Sequence, residues 1–238
     1  AVRFNARLIA EELRELGISV NCAPLLDIPA PGADDVIGDR AFGGGNPSLV
    51  ADLGRAFCDG LLAGGVLPVI KHIPGHGRAR VDTHEALPVV ETPLAELEAT
   101  DFQPFKALSD MPWAMTAHLV YAALDPGNPA SHSRAVIEEV IRGTIGFDGV
   151  LVSDDISMGA LEGDYADRAA RILAAGCDLV LHCNGEREEM TAVAEGAAAA
   201  LSADAERRLA AAAARPKSPE PIDRKGLATR IDKMLGDL

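Results

Sequence analysis

The sequence has 238 residues, 48% hydrophobic but only 4% aromatic, with a net charge of −14 at pH 7. That length buries a core large enough for one barrel-sized α/β domain, and an aliphatic, Ala-rich core suits helices packed on a parallel sheet. So negative a chain repels phosphate backbones and anionic headgroups, which argues against nucleic-acid and membrane-surface partners, and no apolar run approaches the ~20 residues of a membrane span.

Val2, Ala6, Ile9, Leu13 and Leu16 recur at helical spacing before Gly17, predicting a helix that covers a sheet. Residues 18–23 are strand-like and lead to Asp27 at a strand's C-terminal end, followed by a loop over 29–45 that contains Asp39 and Arg40. Asn46 caps a helix with Pro47 first and Leu49, Leu53, Phe57 and Leu61 on one face, stopping at Gly64 and Gly65. The apolar run 66–70 is a buried strand that delivers Lys71 and His72 to its end. After a Gly- and Pro-rich loop, Thr92 and Pro93 open a helix that Pro104 interrupts, and residues 113–118 form the third strand, ending at His118. Ser133 caps a helix carrying Val136, Ile137, Val140 and Ile141; the fourth strand follows, with Asp154 at its end. A helix over 164–175 leads to a fifth strand over 178–183. Residues 186–238 read as the Ala-rich helical end of the same single domain, 1–238, broken by Pro216, Pro219 and Pro221 and without candidate chemistry. Cys22, Cys58, Cys177 and Cys183 show no C-x-x-C spacing and read as reduced thiols, and the chain begins in an amphipathic pattern, so the cytoplasm is the default compartment.

Strands alternating with helices imply parallel pairing through right-handed crossovers, and in such folds the site gathers at the C-terminal ends of the strands. Asp27, Lys71, His118 and Asp154 all occupy such ends. A (β/α) barrel is preferred to an open sheet, because several strand ends carry polar residues and no Gly-rich phosphate loop marks a crevice.

The segment 71–84 brings His72, His76 and His84 together with Lys71, Arg78, Arg80 and Asp82. Asp82 and His84 stand two apart, and in an extended segment they share a face, so the carboxylate can hold and polarise the imidazole. For His76 the plainer reading is a turn residue. KHIPGHG followed by DTH resembles the KH(F/I)PGHG and D-x-H elements of the bacterial β-N-acetylglucosaminidases of glycoside hydrolase family 3. Residues 149–158, with Ser153, Asp154 and Asp155 in sequence, are similar to the family's nucleophile-bearing strand. The resemblance runs from Ala1 to about Asn184.

It implies a TIM-type (β/α)8 barrel and an exo-glycosidase that releases terminal N-acetyl-β-D-glucosamine during cell-wall recycling in the cytoplasm, with no cofactor and no metal. Retention of configuration needs a carboxylate nucleophile and a second group that gives and takes a proton. The resemblance assigns the first role to Asp154 and the second to His84, oriented by Asp82, with the glycines of the PGHG segment letting the loop swing His84 in and out. On a strand, Asp155 points to the opposite face and is expected in a supporting position. Arg40, Lys71 and His72 match the family's sugar-binding positions; the competing role for Arg40 is a surface ion pair with Asp39. Three rivals remain: a metal held by His72, His76, Asp82 and His84, phosphorolysis in place of hydrolysis, and a non-catalytic sugar-binding protein.

A closed barrel has about eight strands, yet five are predicted here, and the family's D-Q-E-G-G-R segment, upstream of the first helix, has no counterpart. The expectation is an incomplete barrel lacking its first three βα units, with the strands through Cys22 and Leu181 at its edges. The polypeptide of 238 residues is then expected to be nearly inactive unless another chain fills the gap.

Overall fold

In the computed structural model, which describes residues 1–35, 37–83, 85–198, 201–216, 218–219 and 221–236, helices and strands alternate as the periodicity predicts. In chain order come α1 (Val2–Glu15), β1 (Val20–Asn21), α2 (Pro47–Ala63), β2 (Leu67–Ile73), β3 (Val89–Val90), α3 (Leu94–Ala99), α4 (Gln103–Ala107), β4 (Trp113–Thr116) and β5 (Val120–Tyr121). A wide π-helix over Val136–Thr144 precedes β6 (Val150–Asp155), α5 (Tyr165–Ala175), β7 (Leu179–Leu181), α6 (Arg187–Gly196), α7 (Ala203–Ala213) and α8 (Arg224–Gly236).

Five strands pair in the order β1-β2-β4-β6-β7, every pair parallel. The edges are β1, which ends just before Cys22, and β7, which contains Leu181, so the sheet is the incomplete barrel that the strand count predicts. β1 is shorter than the run 18–23 suggested. Pro24 has no N–H to give to the ladder, and beyond it only Leu25 makes a bridge, to Lys71. The two-stranded parallel sheet of β3 and β5 was not anticipated.

Several local signals act as expected. Asn46 Oδ1 accepts the backbone N–H groups of Ser48 and Leu49 at the start of α2. Ser133 Oγ accepts the Val136 N–H ahead of the π-helix. The helical run after Pro93 breaks into α3 and α4, and Pro104 falls in the first turn of α4, where its missing N–H costs nothing. Leu16, by contrast, is 76% exposed, because the chain has already left the helix there; the buried stripe of α1 is Ala6 and Ala10, flanked by Ile9 and Leu13.

The period-two alternation of the strands divides the core into two layers. Ile70, Ala114 and Leu151 face outward into the main core against Phe102, Phe105, Ile137, Ile141 and Ile172. Val69, Met115 and Val152 face inward and form a second cluster with Val20, Trp113, Leu179 and Leu181 around it. Asp154 follows Val152 by two residues, across a register irregularity in the β6–β7 ladder, and its carboxylate lies 3.7 Å from the His72 ring. At the opposite end of β6, buried Asp178 accepts Arg142, the Leu151 N–H and Arg208, which fastens α7 beneath the sheet.

α1 and α2 approach so closely that glycine is required between them. A Cβ on Gly60 would lie 2.4 Å from the Arg3 carbonyl oxygen, whereas one on Gly54 would meet a methyl of Leu26 at 2.3 Å. Gly60→Ala is expected to destabilise the fold by about 1–3 kcal/mol through overpacking, less up to about 1 kcal/mol regained in helix propensity. Gly54→Ala should cost less, because a side-chain methyl yields where a backbone carbonyl does not. Urea-unfolding midpoints check this; equal losses at the two positions would refute the distinction.

Candidate active site

Three strand ends converge on the inner face. β1 leads through Pro24 to Asp27, β2 carries Lys71 and His72, and β6 ends in Asp154 and Asp155. Asp27 is fully buried in an apolar run beside Leu26 and Ile28, a setting that an ionised carboxylate tolerates only when paired. Its Oδ1 accepts the His72 N–H at 3.1 Å and the His76 N–H at 2.7 Å, and its Oδ2 lies 2.8 Å from His72 Nδ1. Burial works against its charge, but the neighbouring His72 ring and the hydrogen bonds from His72 and His76 outweigh it and hold the carboxyl below its usual pKa.

The far side of the His72 ring faces Asp154, with Nε2 3.7 Å from Asp154 Oδ2. Asp154 is 8% exposed, and its Oδ1 accepts the Asp155 N–H at 2.9 Å. Asp155 makes different contacts: its carboxylate accepts the Ser157 N–H and hydroxyl and the Cys183 N–H. The Asp155 carbonyl lies 3.2 Å from His118 Nε2. A carbonyl only accepts, so His118 carries its proton on Nε2, and Nδ1 accepts from the Ser131 hydroxyl at 2.7 Å. Burial depresses the His118 pKa.

Hydrogen bonds tie the PGHG segment and its flanks to neighbouring elements. The Tyr121 hydroxyl donates to the Gly75 carbonyl, and Ala30 and Asp34 donate their N–H groups to the carbonyls of Gly77 and Ala79. The Arg78 guanidinium reaches Asp101, Glu96, Thr92 and Thr100. Gly77 is glycine because a Cβ there would stand 2.0 Å from the Ile28 carbonyl oxygen; Gly75 is glycine because its φ is +142°. The His76 carbonyl accepts the Ala79 N–H, and its ring is buried against His72 with centroids 5.4 Å apart. Burial, reinforced by the neighbouring His72 ring, lowers its pKa.

His84 lies outside the described residues. On its C-terminal side, Glu85 and Ala86 donate their N–H groups to the Asp82 carbonyl. The Thr83 carbonyl accepts the Ala160 N–H, which ties this segment to the loop leaving the Asp154 strand. Asp82 is half-buried. Arg40 is exposed at the end of the short 3-10 helix Gly38–Arg40, and Lys71 is half-buried next to His72 on β2. The thiols of Cys22 and Cys183, though exposed at the strand ends, are poor nucleophiles: partial desolvation by the surrounding protein raises the Cys22 pKa, and the same effect together with Asp155 pushes Cys183 up to about 11. Sequence reasoning placed Asp27 and His118 at strand ends but gave neither a role. The signal for Asp27 was an acid inside the apolar run Leu25, Leu26, Ile28, which demands a partner.

A family model described as the glycosyl hydrolase family 3 N terminal domain matches residues 1–215. The β-hexosaminidase of Thioalkalivibrio sulfidiphilus is 46% identical over 186 residues, covering 76% of this chain and 52% of the relative. That of Pseudomonas aeruginosa is 41% identical over 190 residues, covering 79% and 56%. A family 3 β-N-acetylglucosaminidase from a Paenibacillus species superposes with a TM-score of 0.83 at 34% identity, over 97% of this chain and 48% of that one. NagZ from Neisseria gonorrhoeae, solved with N-trifluoroacetyl-D-glucosamine, gives 0.77 at 34% identity, over 97% and 64%. The chain spans about half the length of the curated relatives it matches. With the family model running through β1, β2, β4, β6 and β7 and through both motif-bearing segments, the chain belongs to glycosyl hydrolase family 3.

Proposed function

We propose that the protein is a retaining exo-glycosidase that releases terminal N-acetyl-β-D-glucosamine, acting in the cytoplasm on fragments derived from peptidoglycan. The observation that carries this reading is Asp154: a carboxylate on the inner face at a strand end, with Oδ1 fixed by a backbone N–H and Oδ2 turned toward His72. Such a group is oriented to attack an anomeric carbon and form a glycosyl ester. The relatives named β-hexosaminidase and the neighbour solved with an N-acylglucosamine support the choice of sugar. Arg40 and Lys71 supply donors, and His72 Nε2 an acceptor, for the hydroxyl groups of the ring.

His84, oriented by Asp82, protonates the leaving oxygen and then takes a proton from water. An imidazole with an ordinary pKa of about 6.5 suits both steps near neutrality. No described helix is long and apolar enough to cross a membrane.

A slow fluorosugar substrate, applied to a polypeptide long enough to close the barrel, should leave its label on Asp154, read by peptide mass spectrometry. A label on Asp155, or release of sugar with inverted configuration, would overturn the assignment.

His84→Ala is expected to slow cleavage of poor leaving groups by about 10²–10⁴-fold while sparing activated aryl substrates, because only the former need protonation. Asp82→Ala should show the same selectivity more weakly. Equal losses for both substrate classes would mean that His84 acts structurally.

A further inference from the structure

We propose that Asp27 is a positioning residue for this reaction: it acts through His72, fixing the ring so that Nε2 alone faces the sugar and Asp154. The inference rests on the reading of the site as one that binds and cleaves a glycoside. A carboxylate only accepts, so the 2.8 Å contact from Asp27 Oδ2 requires His72 Nδ1 to carry a proton. The backbone bonds from His72 and His76 to Oδ1 prevent the carboxylate from turning away. A free imidazole exchanges between two tautomers; here one of them is selected from behind. Nε2, 3.7 Å from Asp154 Oδ2, is then left with its lone pair toward the site, where it accepts from substrate hydroxyls and offers the carboxylate no proton, so that Oδ2 of Asp154 stays unspent.

The geometry supplies a sharp test. In Asp27→Asn the amide oxygen must occupy the Oδ1 position, because two backbone N–H groups point there. The NH2 group then faces His72 Nδ1, which has to offer its lone pair, and the proton moves to Nε2. The variant therefore keeps the backbone bonds and reverses the tautomer. In other systems a wrong tautomer behind a reacting group costs several orders of magnitude, and here the expected loss in kcat/KM is about 100-fold or more.

The experiment combines kinetics with 15N spectra of histidine-labelled protein in a polypeptide that closes the barrel. The parent should show His72 protonated on Nδ1, and D27N should show it on Nε2. In a double-mutant cycle, D27N should cost nothing further in a His72→Gln background, since the whole effect of Asp27 runs through that ring. A D27N variant within threefold of the parent, an additive loss in the cycle, or a parent His72 lacking its Nδ1 proton would each overturn the proposal. The parent spectrum decides alone if D27N fails to fold. Because the tautomer readout does not involve the covalent step, failure of fluorosugar labelling at Asp154 refutes the nucleophile assignment and leaves this inference standing. Labelling at Asp154 with a harmless D27N does the reverse.

Discussion

The site is organised around one buried carboxylate. Asp27 sits where β1 runs out, with no exposure to solvent, and an unpaired charge at such a position costs several kcal/mol. Its partners come from the end of β2 and the loop beyond it, at His72 and His76. Satisfying the carboxylate therefore obliges the chain after β2 to wrap back over β1. The same wrapping sets the His72 ring, seats the Gly77 backbone against Ile28, and aligns Ala30 and Asp34 with the carbonyls of Gly77 and Ala79. The segment after β1, the start of the loop after β2 and the orientation of the His72 ring are thus settled by one local electrostatic requirement.

A second set of ties holds the other wall. Asp155 links the end of β6 to the segment after β7 through the Cys183 N–H, and to the segment after β4 through His118. The Ser131 hydroxyl behind His118 fixes that ring as well. Asp154 inherits this rigidity, because the N–H that holds its Oδ1 belongs to Asp155. Few of these contacts are local in sequence. Their strength comes from being buried, where hydrogen bonds gain electrostatically and a missing partner is costly.

Much of this was legible in advance, and the parts that were not share a cause. The strand and helix alternation, the helix break just ahead of Pro104, the Ser133 cap and the two sheet edges follow from periodicity and from what proline and serine do to a backbone. Asp27 could be seen as an acid in an apolar run, but its partners lie 45 and 49 residues away, and no local pattern names them. The glycines of the PGHG segment suggested freedom, whereas Gly77 answers to a close carbonyl and Gly75 to a positive φ; the clamps on that segment come from Ile28, Asp101 and Tyr121. The pair β3 and β5 has two residues in each strand, too few to impose an alternation on the sequence.

Three aspartates lie within this small volume, and their donors separate their roles. Asp27 has both oxygens engaged and no solvent contact, so it can neither attack nor exchange a proton without breaking the wall around it. Asp155 is likewise engaged on both oxygens, through Ser157 and Cys183. In Asp154, one oxygen is held by a backbone N–H, while among the described residues the other has only His72 Nε2 nearby, at 3.7 Å. That distance is longer than a hydrogen bond and leaves the lone pairs of Oδ2 available. A nucleophilic carboxylate needs this asymmetry, one oxygen fixed to set the direction of attack and one unspent to make the bond. The neighbouring sequence is nearly symmetric in the two adjacent acids, and it is the distribution of donors that distinguishes them in support of Asp154.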